Sequence, residues 1–414
     1  MMKKDLASLI RQAESDLAPV FAGFSQVEEL WTGRVLAAFA RHQVAARHFT
    51  PTTGYGYDDI ARDTLEALCA DIFRAEAAIC RPQLASGTHT LAVCLFGLLL
   101  PGEELLVATG APYDTLEGVI GFHREPGSLA EMGVSCRVVD LNDQGQVDIP
   151  AVVAAMTPQT RVVFLQRSRG YALRPSLMPQ DMAAVVAAVK QKNPAAFVMV
   201  DNCYGAFVTP EEPTFFGADL VAGSLIKNLG GGIAPTGGYI AGTTKAVERV
   251  AHRLTAPGIG REVGSYEASY RPFYQGLFMA PHTVCQALKT AALAARVAEL
   301  LGMAALPGPF EARSDIIQAL LMGSPEKVVA YCQGIQSASP VDSFASPEPW
   351  DMPGYEDQVI MAAGAFVQGA SIELSCDAPM RPPYAVYQQG ALTYVSGKLA
   401  VMQAFARLME VSDA

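Results

Sequence analysis

Apolar and polar positions alternate along this chain in two registers. Helical spacing dominates the first 49 residues, where Leu6, Ile10, Leu17 and Phe21 share one face and Val27, Leu30, Val35, Leu36 and Phe39 the next. These helices are too few to enclose a core, so they pack on the body or across a subunit boundary. Helical spacing returns over residues 61–81, and a buried helix follows at 91–100. From there short apolar runs take over. Strands are expected at 104–109, 135–140, 161–166, 196–201, 219–223 and 237–241, with helices at 148–156 and 179–192 between them. Strand, helix and strand at this spacing make βαβ units, hence a largely parallel sheet with its strand ends on one edge. Residues 250–285 carry many turn signals, and 281–301 reads as one long helix. Beyond Phe310 the order changes: helices at 314–321 and 325–333, a Pro/Ser/Asp-rich stretch at 337–354, strands at 358–363 and 371–375, and a closing helix from about Gly390. The expected architecture is α/β, divided into a helical segment at 1–49, a large sheet domain at 50–284 and a small α+β domain at 285–414.

Composition narrows the class. The chain has 414 residues, 50% hydrophobic and 17% charged, with a net charge of −11. Such a chain builds a large buried core or an oligomer and is not disordered. The acidic balance and the lack of a basic stripe argue against nucleic acid. The longest apolar run, 91–100, is stopped by Pro101-Gly102 and falls well short of the ~18 residues of a membrane span. Acidic residues interrupt any signal-peptide core near the start, which reads as an amphipathic helix. The eight cysteines are scattered without a CxxC pair, which fits buried reduced thiols in a cytoplasmic protein. The six histidines show no metal-binding spacing, and no metal is expected.

The chemistry concentrates at 198–238. An apolar strand ends in Asp201, and the next ends in Gly223-Ser224-Leu225-Ile226-Lys227-Asn228 before a glycine-rich loop. A carboxylate at one strand end, a lysine past the next and a hydroxyl three residues before it are what pyridoxal 5'-phosphate requires: a partner for the ring nitrogen, an amine for the Schiff base and a phosphate contact. The carboxylate keeps the ring nitrogen protonated, and the cationic ring in a dry site depresses the lysine's pKa. Ser86-Gly87-Thr88, opening the helix at 91–100, offers hydroxyls and free N–H groups to a phosphate, although an ordinary helix cap has the same composition. Tyr113, at the carboxyl end of the strand at 104–109, either stacks on the cofactor ring or caps the sheet.

Other positions allow two readings each. The turn-rich loop around Tyr55-Gly56-Tyr57 is a surface turn or an active-site loop donated to a neighbour. Arg167 and Arg169, at the same sheet edge, are solvated or offer a fork to a substrate carboxylate; Arg261 and Arg381 are further candidates.

The order of these motifs resembles the fold type I pyridoxal-phosphate enzymes of the aspartate aminotransferase superfamily. More narrowly, TGYGYDDIARDTLE, QLASGTHTLAVCLFGLLLPGEELL, VDNCYGAFVTPEEP, GSLIKNLGGGIAPTGGYIAG and LTAPGIGREVG resemble the methionine gamma-lyase family proteins also labelled aluminium resistance protein. The resemblance runs from about residue 20 to 410. It implies a mostly parallel, seven-stranded-type sheet in the large domain. It implies Lys227 as the Schiff-base lysine, Asp201 at the pyridine nitrogen, Ser86, Gly87, Thr88 and Ser224 around the phosphate, and Tyr113 on the ring. It further implies a homotetramer of catalytic dimers, each site completed by its neighbour. The better-known Cys/Met-metabolism enzymes carry a Tyr-x-Arg pair reaching the neighbour's phosphate. Here Tyr57 matches and is followed by Asp58-Asp59, so Arg62 is not carried over. Tyr55, Arg167 and Arg381 are assigned to the substrate, Arg381 to its α-carboxylate by fold-level analogy. The implied reaction is carbon–sulfur bond cleavage in a sulfur amino acid, methionine gamma-lyase-like or cystathionine beta-lyase-like. Transamination, aldol cleavage and decarboxylation use the same lysine and aspartate, and a non-catalytic metal-stress protein is a further alternative.

Overall fold

The computed structural model describes residues 5–123 and 125–412. Two helices open the chain, α1 (Leu6–Asp16), capped by the Asp5 side chain, and α2 (Ala18–Arg41), with Pro19 in its first turn. Both lie within the predicted 1–49 segment, of which residues 1–4 are outside the described residues. Trp31 anchors α2: its side chain is fully buried, stacks on Phe207 at 4.5 Å and donates from Nε1 to the Thr209 carbonyl at 2.7 Å. Leu30 and Leu36, expected on the buried face, are 39% and 51% exposed.

The large unit follows in chain order: α3 (Ile60–Ile72), β1 (Ala77–Arg81), α4 (Gly87–Leu98), β2 (Glu104–Val107), α5 (Asp114–Ile120), β3 (Ser135–Val138), α6 (Ile149–Ala155), β4 (Thr160–Gln166), α7 (Pro179–Lys192), β5 (Phe197–Asp201), β6 (Leu220–Ser224), β7 (Gly238–Gly242) and α8 (Thr244–Leu254). Its seven strands form one sheet in the order β1-β7-β6-β5-β4-β2-β3. The pairs from β3 to β6 are parallel, and β7 runs antiparallel to both β1 and β6. The central strands are buried on both faces, which explains their continuous apolar runs. One face packs on α3 and α7, the other on α4 and α8. Residues 61–81 are not one helix. The chain leaves α3 after Ile72, and 77–81 pairs with β7 as an edge strand, a long-range pairing that overrides helical spacing.

A 30-residue helix, α9 (Arg271–Leu300), links the two units. It starts ten residues before the expected position, inside the stretch read as turns, and it spans the 284/285 division. Its Gly276 meets the glycine loop after Lys227 directly. A Cβ on Gly231, whose φ is +58°, would lie 2.5 Å from the Gly276 carbonyl oxygen, so backbone packs on backbone there.

The remaining elements are β8 (Ala305–Leu306), β9 (Ile317–Leu321), α10 (Pro325–Ser337), β10 (Val359–Ala362), β11 (Ser375–Pro379), β12 (Ala385–Gln389) and α11 (Tyr394–Ser412). Their strands form an antiparallel sheet ordered β10-β11-β12-β9-β8, backed by α10 and α11. Two expectations are corrected here. The helix at 314–321 is β9, paired with β12, and the strand at 371–375 begins only at Ser375 and runs to Pro379. Among the described residues, no helix is long and apolar enough to cross a membrane.

Candidate active site

The register of the large sheet brings its strand ends together: Gln166 pairs with Asp201, and Asp201 with Ala222, two residues before Ser224. A cavity of about 240 Å³ opens at this edge. Lys227, Asp201, Ser224, Tyr113 and the Ser86-Gly87-Thr88 turn all line it. The sequence-predicted constellation therefore meets in one place.

Each group is held by local structure. Ser86 is the N-cap of α4, its Oγ accepting from the His89 N–H at 3.0 Å. The next N–H groups of that first turn have no intrahelical partner and suit an anion. A Cβ on Gly87 would lie 3.2 Å from Cys203 Sγ and 3.4 Å from Ser224 Cβ, so glycine keeps this corner open. Thr88 Oγ1 lies 2.9 Å from Thr115 Oγ1. The Tyr113 N–H donates to Gln166 Oε1 at 2.8 Å, and its hydroxyl lies 2.8 Å from that of Tyr355.

Asp201 is 7% exposed and accepts from the Cys203 N–H at 3.0 Å. Burial raises its pKa, opposed by that hydrogen bond and by Lys227. A buried carboxylate with one oxygen satisfied by backbone suits a cationic ring N–H. The helix start, the open glycine corner and this carboxylate therefore fit pyridoxal phosphate. The ammonium of Lys227 sits 3.8 Å from the Tyr204 ring centroid. Burial alone depresses the lysine, but Tyr204, Cys203 and Asp201 outweigh it and hold the pKa above the ordinary lysine value. The expected depression depended on a cationic ring; the protein's own groups act the other way.

The remaining predicted residues lie elsewhere. Arg381 lines an adjoining cleft of about 860 Å³ that shares Tyr113, Gln166 and Tyr355 with the lysine cavity. Its guanidinium is ion-paired with Asp357 at 2.8 Å. Tyr55 and Tyr57 are 72% and 64% exposed and line neither space. Their loop is pinned by the Gly264 N–H to the Tyr55 carbonyl at 2.9 Å and by Ser265 Oγ to the Gly54 carbonyl at 2.7 Å. Arg62 turns inward, donating to the Gly56 carbonyl at 2.8 Å.

Arg167 is a correction. It is fully buried and ion-paired with Glu212 at 3.0 Å, and it donates to Asn202 Oδ1 at 2.7 Å, Thr209 Oγ1 at 2.8 Å and Ser314 Oγ at 3.0 Å. Every guanidinium nitrogen is engaged inside the protein, so the side chain cannot meet a substrate. Sequence reading missed Tyr204, Tyr355 and Asp377, all in the lysine cavity. Tyr204 follows Asp201 closely enough to have been suspected; the other two lie on the small sheet and its 351–358 loop. The eight cysteines are all free. Among the described residues no cluster of three or more His, Cys, Asp or Glu could hold a metal.

This fold and this site define the class of the fold type I pyridoxal-phosphate-dependent enzymes. The pyridoxal-phosphate-dependent protein YhfS of Escherichia coli shares the fold, with a TM-score of 0.64 at 18% identity over 94% of this chain and 97% of that one. The chain belongs to the methionine gamma-lyase family, whose model matches residues 6–409. It is 49% identical over 401 residues to the uncharacterized protein YnbB of Bacillus subtilis (strain 168), covering 96% of this chain and 95% of that protein. A solved carbon–sulfur lyase involved in aluminum resistance from Clostridium novyi NT matches with a TM-score of 0.94 at 45% identity, covering 97% of this chain and 95% of that one. Family membership places the chain among carbon–sulfur lyases.

Proposed function

We propose that this protein cleaves a carbon–sulfur bond in a sulfur amino acid, with pyridoxal phosphate held at Lys227. The observation that carries the reading is the convergence of Lys227, Asp201, Tyr113 and the Ser86-Gly87-Thr88 turn on one cavity. When bound, the cofactor supplies an electron sink for the pair left at Cα. The chain supplies the rest. Ser86, Gly87, Thr88 and Ser224 would hold the phosphate, Asp201 the ring nitrogen, and Tyr113 would cover the ring. Lys227 would hold the cofactor through its side-chain nitrogen and, once the substrate's amine has displaced it, the freed amine would take the Cα proton. Arg381 receives the substrate α-carboxylate after leaving Asp357. A thiol departs from Cγ or Cβ, and ammonia and a 2-oxo acid follow.

The exposure of Tyr55 and Tyr57 supports their use in a neighbour's site, Tyr57 toward the phosphate and Tyr55 toward the substrate, in a homotetramer of catalytic dimers. The division into 1–49, 50–284 and 285–414 gives the small domain Arg381 and the large one the cofactor. Eight free thiols support a cytoplasmic location.

The test is a visible absorption spectrum of the purified protein, then addition of methionine, homocysteine, cysteine and cystathionine with thiol and 2-oxo acid assayed. In Lys227→Ala, borohydride no longer fixes the cofactor to the chain. A protein that carries the cofactor and releases neither product from any of the four sinks the lyase reading; cofactor still fixed to the chain by borohydride in Lys227→Ala sinks the site.

A further inference from the structure

Asp377 is a second carboxylate in the lysine cavity, and none of the roles above uses it. It lies mid-strand in β11, on the small sheet, 6% exposed, and lines the cavity together with Ser375. Its Oδ2 accepts from Gln389 Nε2 at 3.0 Å. Its Oδ1 is buried without a hydrogen-bond partner, as are Ser375 Oγ and Tyr171 Oη. A buried carboxylate oxygen without a donor is costly unless the group carries a proton itself or meets a ligand. Burial raises its pKa to about 7, with Lys227, Gln389 and the nearby Tyr171 hydroxyl opposing; that hydroxyl faces the carboxyl without hydrogen-bond geometry, so the oxygen stays open to the cavity.

An elimination has two proton problems. One proton leaves Cα, and Lys227 is placed to take it. Another must reach sulfur, because an alkyl thiolate departs poorly until protonated. The donor has to share the cavity, hold a proton near neutrality and release it readily. Tyr113 shares the cavity, but burial raises its pKa far above the ordinary phenol value, and its hydroxyl is engaged with Tyr355. Burial, then the neighbouring Asp377 carboxylate and the Tyr113 and Tyr355 phenols, raise Tyr171 likewise. Asp377 meets all three conditions.

We propose that Asp377 is a catalytic acid of this site, giving the proton on its free oxygen to sulfur as the carbon–sulfur bond breaks. For elimination at Cβ, the Cα–H pair becomes the new carbon–carbon double bond and the C–S pair goes to sulfur. The proton from Asp377 completes the thiol, and the carboxylate regains a proton from solvent. The inference rests on the lyase reading.

The holoenzyme and its Asp377→Asn variant are compared on an S-alkyl cysteine, whose leaving group needs a proton, and on β-chloroalanine, whose chloride does not. The variant loses about a hundredfold or more in kcat/KM on the thioether, and stays within about threefold of wild type on the chloride. Its visible cofactor band is unchanged. In infrared spectra, the protonated-carboxyl intensity expected of wild type below neutral pH is smaller in the variant, by the contribution of one group. An equal loss on both substrates, or no loss on the thioether, overturns the proposal. Should Asp377→Asn not fold, Asp377→Glu is read the same way, and an unchanged thioether-to-chloride ratio overturns it. A wild-type protein that releases no thiol overturns the lyase reading and this inference with it; thiol release with a failed ratio overturns this inference alone.

Discussion

Arg167 and Glu212 form a fully buried ion pair at 3.0 Å whose shared ligand is Asn202, the residue next to Asp201. Asn202 accepts from Arg167 at 2.7 Å and donates to Glu212 at 2.9 Å, so the pair fixes the backbone that aims Asp201. Burial lowers the Arg167 pKa and raises that of Glu212, each offset by the other. Removing one partner strands a buried charge, and Arg167→Met is expected to cost about 3–5 kcal/mol in urea unfolding. Adding Glu212→Met removes the stranded carboxylate, and the double variant loses less than the single one. A single variant of wild-type stability, or one whose only defect is a raised substrate KM, refutes this structural role.

Arg381 faces the cleft beside Tyr113, half-exposed and paired with Asp357. Desolvation opposes its charge, but Asp357 and Asp114 hold its pKa above the ordinary arginine value. Hydrogen bonds to charged groups contribute ~1.5–3 kcal/mol, so Arg381→Ala raises the amino-acid KM by about ten- to a hundredfold. An exposed ion pair contributes only ~0–1 kcal/mol, so Asp357→Asn changes KM by at most about fivefold. Steady-state kinetics on both variants decide this, with the cofactor's visible band as control. A band lost in Arg381→Ala moves the residue from substrate to cofactor.

The central sheet was legible because parallel strands buried on both faces spell continuous apolar runs, and because Asp201, Ser224 and Lys227 lie near each other along the chain. Of the small sheet only β10, expected at 358–363, was legible, because β9 pairs with β12 from far along the chain and leaves no local mark. Residues 317–321 are a strand through contact with β12, and Asp377 lay beyond the strand expected at 371–375, because nothing local marks a polar side chain in a buried strand. Arg167 misled for a related reason. A strand-end arginine reads as a ligand group until its partner, 45 positions away, is seen. The edge strand β1 was hidden by Ala-rich spacing that continues from α3, and only pairing with β7 decides it.

The tyrosine loop makes a prediction about assembly. Tyr55 and Tyr57 stack loosely on each other, ring centroids 5.6 Å apart, and stay outside the chain's own cavity. If they serve a neighbour, Tyr57→Ala and Lys227→Ala are complementary defects. Subunits of the two inactive variants, mixed by reversible dissociation, form mixed dimers with one intact site each. Random pairing through a two-fold interface then restores about a quarter of wild-type activity. A mixture as inactive as its parents, from subunits shown to have exchanged, sinks the shared site.

Asp377 also predicts how stability depends on pH. Its folded pKa is raised to about 7 from an ordinary 3.8, chiefly by burial. The folded state therefore binds this proton more tightly than the unfolded chain. The stabilising contribution is complete below the unfolded value and is lost as pH rises through the folded one. Asp201, Glu66 and Glu212 are raised by burial as well, so wild-type stability alone mixes several groups. The difference between wild type and Asp377→Asn isolates one. Thermal unfolding of the two proteins between about pH 4 and pH 8 is expected to show wild type losing ground steadily, with the difference levelling off above neutrality. A difference that stays constant across this window means that Asp377 is already ionised at the acid end, and the buried oxygen then has a compensating partner.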